Sequence, residues 1–72
     1  MASKEVYPKD AIRALRKLGF SVVHQKGSHV RLMHRDGRKT TIAVHPKSLF
    51  ISTLHSILRQ AGITREELDE KL

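Results

Sequence analysis

The sequence predicts an α+β fold of order α-β-β-β-α, and three observations predict it. Apolar residues recur at helical spacing near both ends of the 72-residue chain. The stretch between them favours extended structure, and two turn dipeptides, Gly27-Ser28 and Asp36-Gly37, cut it into three short runs. Connections this short force an antiparallel meander, because a parallel crossover needs a dozen or more residues.

Pro8 to Leu18 reads as the first helix. Ala11, Ile12, Leu15 and Leu18 make one apolar face, while Arg13, Arg16 and Lys17 fall mostly on the other. Pro8 suits an early helical position, where its missing N–H costs nothing, and Gly19 suits the exit.

Phe20 to Lys26 is the first strand, carried by Phe20, Val22 and Val23. His29 to His34 is the second, with Val30 and Leu32 on one face and His29, Arg31 and Met33 on the other. Asp36-Gly37 is a hairpin-turn dipeptide. Lys39 to Val44 is the third strand, with Ile42 and Val44 expected to share the core face.

The second major helix spans about Ser52 to Ala61. Leu54, Ile57, Leu58 and Ala61 form its stripe, Ser52 is the expected N-cap, and Gly62 ends it. Thr64-Arg65-Glu66-Glu67 has the form of a capping box opening a short last helix through Leu68. With one apolar face on each element, the simplest packing sets both helices on one face of the sheet and leaves the other face to solvent. His29 and Arg31 then lie on the open face or at its rim.

Length allows one domain, residues 1–72, with too few residues to wall a deep substrate cavity. There is no cysteine, which excludes disulfides and thiolate metal sites. The formal charge is +7, and its distribution says more than its total. Between Ala11 and Arg65 eleven Lys and Arg residues face a single acid, Asp36. Four of the seven acids, Glu66, Glu67, Asp69 and Glu70, lie in the last seven residues. A basic body of this kind suits a polyanion, because each phosphate contact releases condensed counterions. Merely solubilising charge is the plain alternative. No apolar run approaches the roughly 20 residues that span a bilayer. The segment Met1-Ala2-Ser3-Lys4-Glu5 lacks a signal-peptide core, so the expected compartment is the cytoplasm.

Gly27-Ser28-His29, flanked by Lys26 and Arg31, is the stretch most suggestive of chemistry. Glycine lets backbone approach a phosphate closely. A histidine at the start of a strand is held on a rigid element and, with an unperturbed pKa of about 6.5, can give or take a proton near neutrality. Neighbouring cations can stabilise charge developing on a phosphate. RNA brings its own nucleophile, the 2′-hydroxyl, so cleavage by internal attack needs a base, an acid and positive charge, but no metal or other cofactor. On the residues alone, an ordinary turn with an exposed histidine is the simpler reading.

His24, His29 and His34 are five residues apart, a spacing that alternates faces on strands and argues against a shared metal. His45, beside Pro46 and Lys47 at the end of the third strand, is the candidate for a second proton carrier. His55 reads as a partly exposed helix residue and His34 as a solvated strand end. Tyr7, Phe20 and Phe50 are too scattered for a base-stacking platform; Phe20 and Phe50 are expected in the core.

The motifs Gly19-Phe20, Lys26-Gly27-Ser28-His29, Asp36-Gly37 and Thr53-Leu54-His55-Ser56-Ile57-Leu58-Arg59-Gln60-Ala61-Gly62-Ile63 occur in the order found in the HicA toxins, also called the YcfA-like family, and the chain resembles that family from about Lys9 to Leu68. The resemblance implies a double-stranded-RNA-binding-domain-like fold. It also implies an mRNA interferase, the toxin of a type II toxin–antitoxin pair, with its essential histidine at His29 and a HicB-type antitoxin partner that covers the site and through which it could form an oligomer. Lys26, Gly27, Ser28, Arg31, His45 and Lys47 are the expected RNA contacts. The sequence departs from the family pattern in three places. Ser52 replaces the usual Gly before the second helix, Ala43-Val44-His45 replaces Pro-x-His, and Leu32 and Met33 stand where an aromatic residue often follows Gly-Ser-His. A non-catalytic RNA-binding module of the same fold, or a pure protein-interaction module, stays open at this point.

Overall fold

The computed structural model describes residues 5–72; the first four residues, which hold most of the segment judged above for a signal sequence, lie outside it. The elements are α1 (Pro8–Lys17), β1 (Phe20–Lys26), β2 (His29–His34), β3 (Lys39–Ala43), α2 (Ile51–Ala61) and α3 (Arg65–Lys71). The sheet has the order β1-β2-β3 with both pairs antiparallel, as the meander requires.

α1 starts as the sequence demands, with Pro8 in its first turn, and stops at Lys17; Leu18 is the C-cap and Gly19 leaves the helix at φ +100°. Ala11, Ala14 and Leu15 are fully buried. Alternation holds through the centre of the sheet: Val30, Leu32, Thr40 and Ile42 are buried, while His29, Arg31, Lys39 and Thr41 are exposed. The buried Thr40 hydroxyl bonds Gln60 Oε1 at 2.7 Å, joining β3 to α2 without leaving a polar atom unsatisfied. Both long helices cover this one face, with Leu54, Ile57, Leu58 and Ala61 of α2 in the core beside Phe20 and Leu15. α3 packs on α1 through Leu68. Its capping box forms as expected: Thr64 Oγ1 accepts from Glu67 N at 3.0 Å, and Glu67 Oε1 accepts from Thr64 N at 2.8 Å. The helix runs to Lys71 rather than stopping at Leu68.

Two expectations for α2 are corrected. Its first helical residue is Ile51, the N-cap is Phe50 without a side-chain cap, and Ser52 lies inside the first turn. Leu54 N closes that turn on Phe50 O at 2.9 Å, which sets the start ahead of the serine. Phe50 is not core: it is 80% exposed, because it precedes the helix in extended backbone and lies off the buried stripe. β3 likewise ends one residue early, although Val44 still packs on the core and its N–H bonds Ser28 O at 2.7 Å.

A β-bulge is the main irregularity. Register runs Phe20↔His34, Ser21↔Met33 and Val22↔Leu32, then resumes as His24↔Arg31, Gln25↔Val30 and Lys26↔His29, leaving Val23 unpaired. Phe20 and Lys26 are six residues apart, so unbroken alternation would put both on one face. Phe20 belongs in the core and Lys26 in water, and one extra residue in β1 satisfies both.

The β2–β3 connection and the end of α2 are knotted together. Gly37 N bonds His34 O at 2.9 Å and His34 N bonds Arg38 O at 2.8 Å, with Gly37 at φ +98°, a type I turn followed by a glycine bulge. Arg38 Nε bonds Asp36 at 2.9 Å, its guanidinium lies 5.4 Å from the Phe20 ring centroid, and its Nη1 donates to Ala61 O at 2.7 Å. His34 is a structural residue rather than a solvated one. Its ring meets Phe20 edge-on at 5.2 Å, and its Nδ1 accepts from Asp36 N at 3.2 Å. Register explains this, since His34 sits opposite buried Phe20.

Candidate nucleic-acid interface

The hairpin between β1 and β2 is built on a two-residue loop, Gly27-Ser28, with Lys26 and His29 as the last pair before it. Gly27 is at φ +59° and Ser28 at negative φ, the signs that a type II′ turn needs and a reason for glycine in the first position. A Cβ at Gly27 would meet nothing within 4 Å, so backbone conformation and not crowding selects the residue. The turn fixes His29 at the start of β2, where it is held on both sides, by Lys26 in β1 and Ala43 in β3.

A shallow concavity of about 620 Å³ opens on this face, lined by His24, Lys26, Gly27, Ser28, His29, Arg31 and Thr41. The register explains the membership. Across the three strands His24 pairs Arg31 and Arg31 pairs Thr41; one step nearer the turn Lys26 pairs His29 and His29 pairs Ala43. His29 therefore has Lys26 opposite it and Arg31 two residues along its own strand. Every lining side chain is exposed, and none is a carboxylate. Among the described residues, no side-chain hydrogen bond or ion pair holds His29, Lys26 or Arg31. These cations lack acidic neighbours to neutralise them, and both imidazole nitrogens of His29 are open to a ligand.

Of the residues singled out in the sequence, Lys26, Gly27, Ser28, His29 and Arg31 come together here. His45 does not join them. It lines a separate hollow with Tyr7, Lys9, Val44 and Pro46, past the end of β3, and Lys47 lines neither hollow. His24 does join them, against the expectation that five-residue spacing would send the strand histidines to alternate faces. The bulge at Val23 shifts His24 and Lys26 onto the face that carries His29, while His34 stays on the helix side against Phe20. The signal was present in the demand that Phe20 be buried and Lys26 exposed on one strand. No three His, Asp or Glu side chains converge as a metal site among the described residues. No helix there is long and apolar enough to cross a membrane.

Chemically, the face offers an exposed imidazole, two cations without an ion-pair partner among the described residues and main-chain groups at a glycine turn, all reachable by a flexible polyanion. It offers no aromatic platform, so its hold on a strand would come from the phosphates. A family model described as the HicA toxin of bacterial toxin–antitoxin matches residues 8–63, which take in α1, the whole sheet and α2. No curated protein matches the chain.

Proposed function

Because the chain belongs to the HicA toxin family of bacterial toxin–antitoxin proteins, we propose that it is an mRNA interferase, a metal-independent endoribonuclease whose action on mRNA blocks translation. The whole 72-residue chain serves as one toxin domain in the cytoplasm. The observation that carries this reading is the position of His29: an imidazole with no side-chain partner among the described residues, opposite Lys26 and in line with Arg31, on a sheet face whose concavity has no acid in its lining.

In the proposed reaction the 2′-hydroxyl oxygen attacks the adjacent phosphorus and the bond from phosphorus to the 5′-oxygen breaks. The products are a 2′,3′-cyclic phosphate and a 5′-hydroxyl. His29 serves as a general acid or base in this transfer. Lys26 and Arg31 hold the phosphate and offset the charge that builds on it. Ser28 and the Gly27 backbone sit at the turn where a strand can approach closely, and His45 and Lys47 extend the contact along the RNA beyond the concavity. A HicB-type antitoxin is the expected protein partner. Acidic groups on such a partner would meet this same face, silence it by occlusion and build any higher assembly.

Expression of the wild-type chain and of His29→Ala in a bacterial host tests the reading. Growth arrest with loss of mRNA is expected for the wild type alone. Equal growth with intact mRNA in both would overturn the catalytic claim; tight RNA binding by both without cleavage would instead identify a non-catalytic RNA-binding module.

A further inference from the structure

The transfer just described moves two protons, and His29 accounts for one of them. We propose that His24 is the second proton carrier, so that two imidazoles on adjacent strands divide the base and acid roles in cleaving an RNA phosphodiester. This rests on the ribonuclease reading above.

The geometry comes from the bulge. With Val23 left out of the ladder, His24 pairs Arg31 and Lys26 pairs His29, which makes His24 and His29 diagonal neighbours on one face. Diagonal cross-strand residues are about 7–8 Å apart at Cα. The attacking 2′-oxygen and the departing 5′-oxygen lie on opposite sides of phosphorus, and each must come within about 3 Å of its own proton carrier. Two imidazoles at that separation can straddle the phosphate, whereas side chains side by side on one rung would crowd a single oxygen. Both histidines line the same concavity, and each faces a permanent cation across the ladder, Arg31 for His24 and Lys26 for His29. His24 has no side-chain hydrogen bond among the described residues that would give it a structural role instead. One imidazole removes the 2′-hydroxyl proton as the bond from the 2′-oxygen to phosphorus forms; the other, protonated, gives its proton to the 5′-oxygen as the bond from phosphorus to the 5′-oxygen breaks. Protons and electrons balance without a co-reactant. The titratable or polar groups that face His24 are Lys26 along β1, His29 and Arg31 on β2, and Thr41 and Lys39 on β3.

The test compares the purified wild type with His24→Ala, His24→Gln and His29→Ala on ordinary RNA and on RNA with a bridging 5′-sulfur, whose thiolate departs without a proton. On ordinary RNA, both His24 variants are expected to lose about 100-fold or more in cleavage rate while RNA affinity stays within about threefold. The wild-type bell-shaped pH profile of kcat/KM should keep a single limb in His24→Ala. On the 5′-thio substrate, one of the two alanine variants, the one lacking the acid, should recover most of its rate. Near-wild-type cleavage by His24→Ala and His24→Gln, with His29→Ala inactive, would overturn the assignment of His24 and leave the ribonuclease reading standing. So would failure of the 5′-thio substrate to restore either alanine variant. Absence of cleavage by the wild type would overturn both.

Discussion

Arg38 Nη1 donates to the main-chain oxygen of Ala61 at 2.7 Å, so one side chain from the β2–β3 turn closes the C-terminal end of α2. The same guanidinium pairs with Asp36 and lies over Phe20. Helix-end carbonyls lack intrahelical partners, and a cation there also meets the negative end of the helix dipole. Replacing Arg38 with Ala should cost about 2 kcal/mol, the worth of a charged hydrogen bond left unmade. In a chain this small that lowers the melting temperature by roughly 8–15 °C. Arg38→Lys should recover less than half, because a lysine cannot fork between Asp36 and Ala61. Thermal melts followed by circular dichroism read both.

Asp36 supplies a pH dependence. Side-chain and then backbone hydrogen bonds from Arg38 hold its carboxyl below the ordinary value of 3.8, with a smaller contribution from the charge of His34. A carboxyl whose pKa is lower in the folded state stabilises the fold above its unfolded pKa, and the contribution disappears as pH falls through the folded value. Wild-type stability should therefore decline as pH drops below 3.8, and Asp36→Asn should start lower at neutral pH and flatten that decline. Denaturant midpoints measured from neutral pH down through this window check it; parallel curves for the two proteins would refute the assignment.

Gly19 is fixed by two constraints that a double-mutant cycle can separate. Its φ is +100°, and a Cβ there would lie 2.8 Å from His34 Nε2. Gly19→Ala should cost about 3 kcal/mol, combining backbone strain of about 1–3 kcal/mol with displacement of the imidazole. In a His34→Ala background the steric part vanishes and the backbone part remains, giving a coupling of about 1 kcal/mol or more. Strict additivity would show that the imidazole moves aside freely.

Much of this arrangement is legible in the sequence. Helical spacing of Ala11, Leu15, Leu54, Ile57 and Leu58 marks the helices, and the Gly27-Ser28 and Asp36-Gly37 dipeptides mark the turns, because those signals are local. The site was half legible: the turn identifies His29 with Lys26 and Arg31, but His24 depends on a bulge that neither strand reveals alone. That bulge is a compromise between burying Phe20 and pairing Lys26 with His29, a relation visible only when both strands are considered together. Phe50 misleads for the opposite reason. Its apolar character suggests core, yet its place ahead of α2 gives it no packing surface. The Arg38 network was hidden because its partners, Asp36, Phe20 and Ala61, are spread over 42 residues of sequence.

The cationic face should be read in salt. Lys26→Ala and Arg31→Ala should each weaken binding of single-stranded RNA at low salt and reduce the slope of log affinity against log salt by about 0.7, one released counterion each. Arg59→Ala, on α2 and so on the helix side of the sheet, should leave the slope unchanged. An equal loss of slope in all three would mean that net charge, rather than this face, binds RNA.

Whether His29 is the chemical residue of an RNA-cleaving face is read by single-turnover cleavage of a defined RNA by the purified chain in excess EDTA, beside His29→Ala. The wild type should cut in the presence of the chelator and leave 2′,3′-cyclic phosphate ends. The variant, folded and binding RNA with similar affinity, should be slower by about 100-fold or more. Cleavage by His29→Ala at the wild-type rate would show that His29 is not the chemical residue.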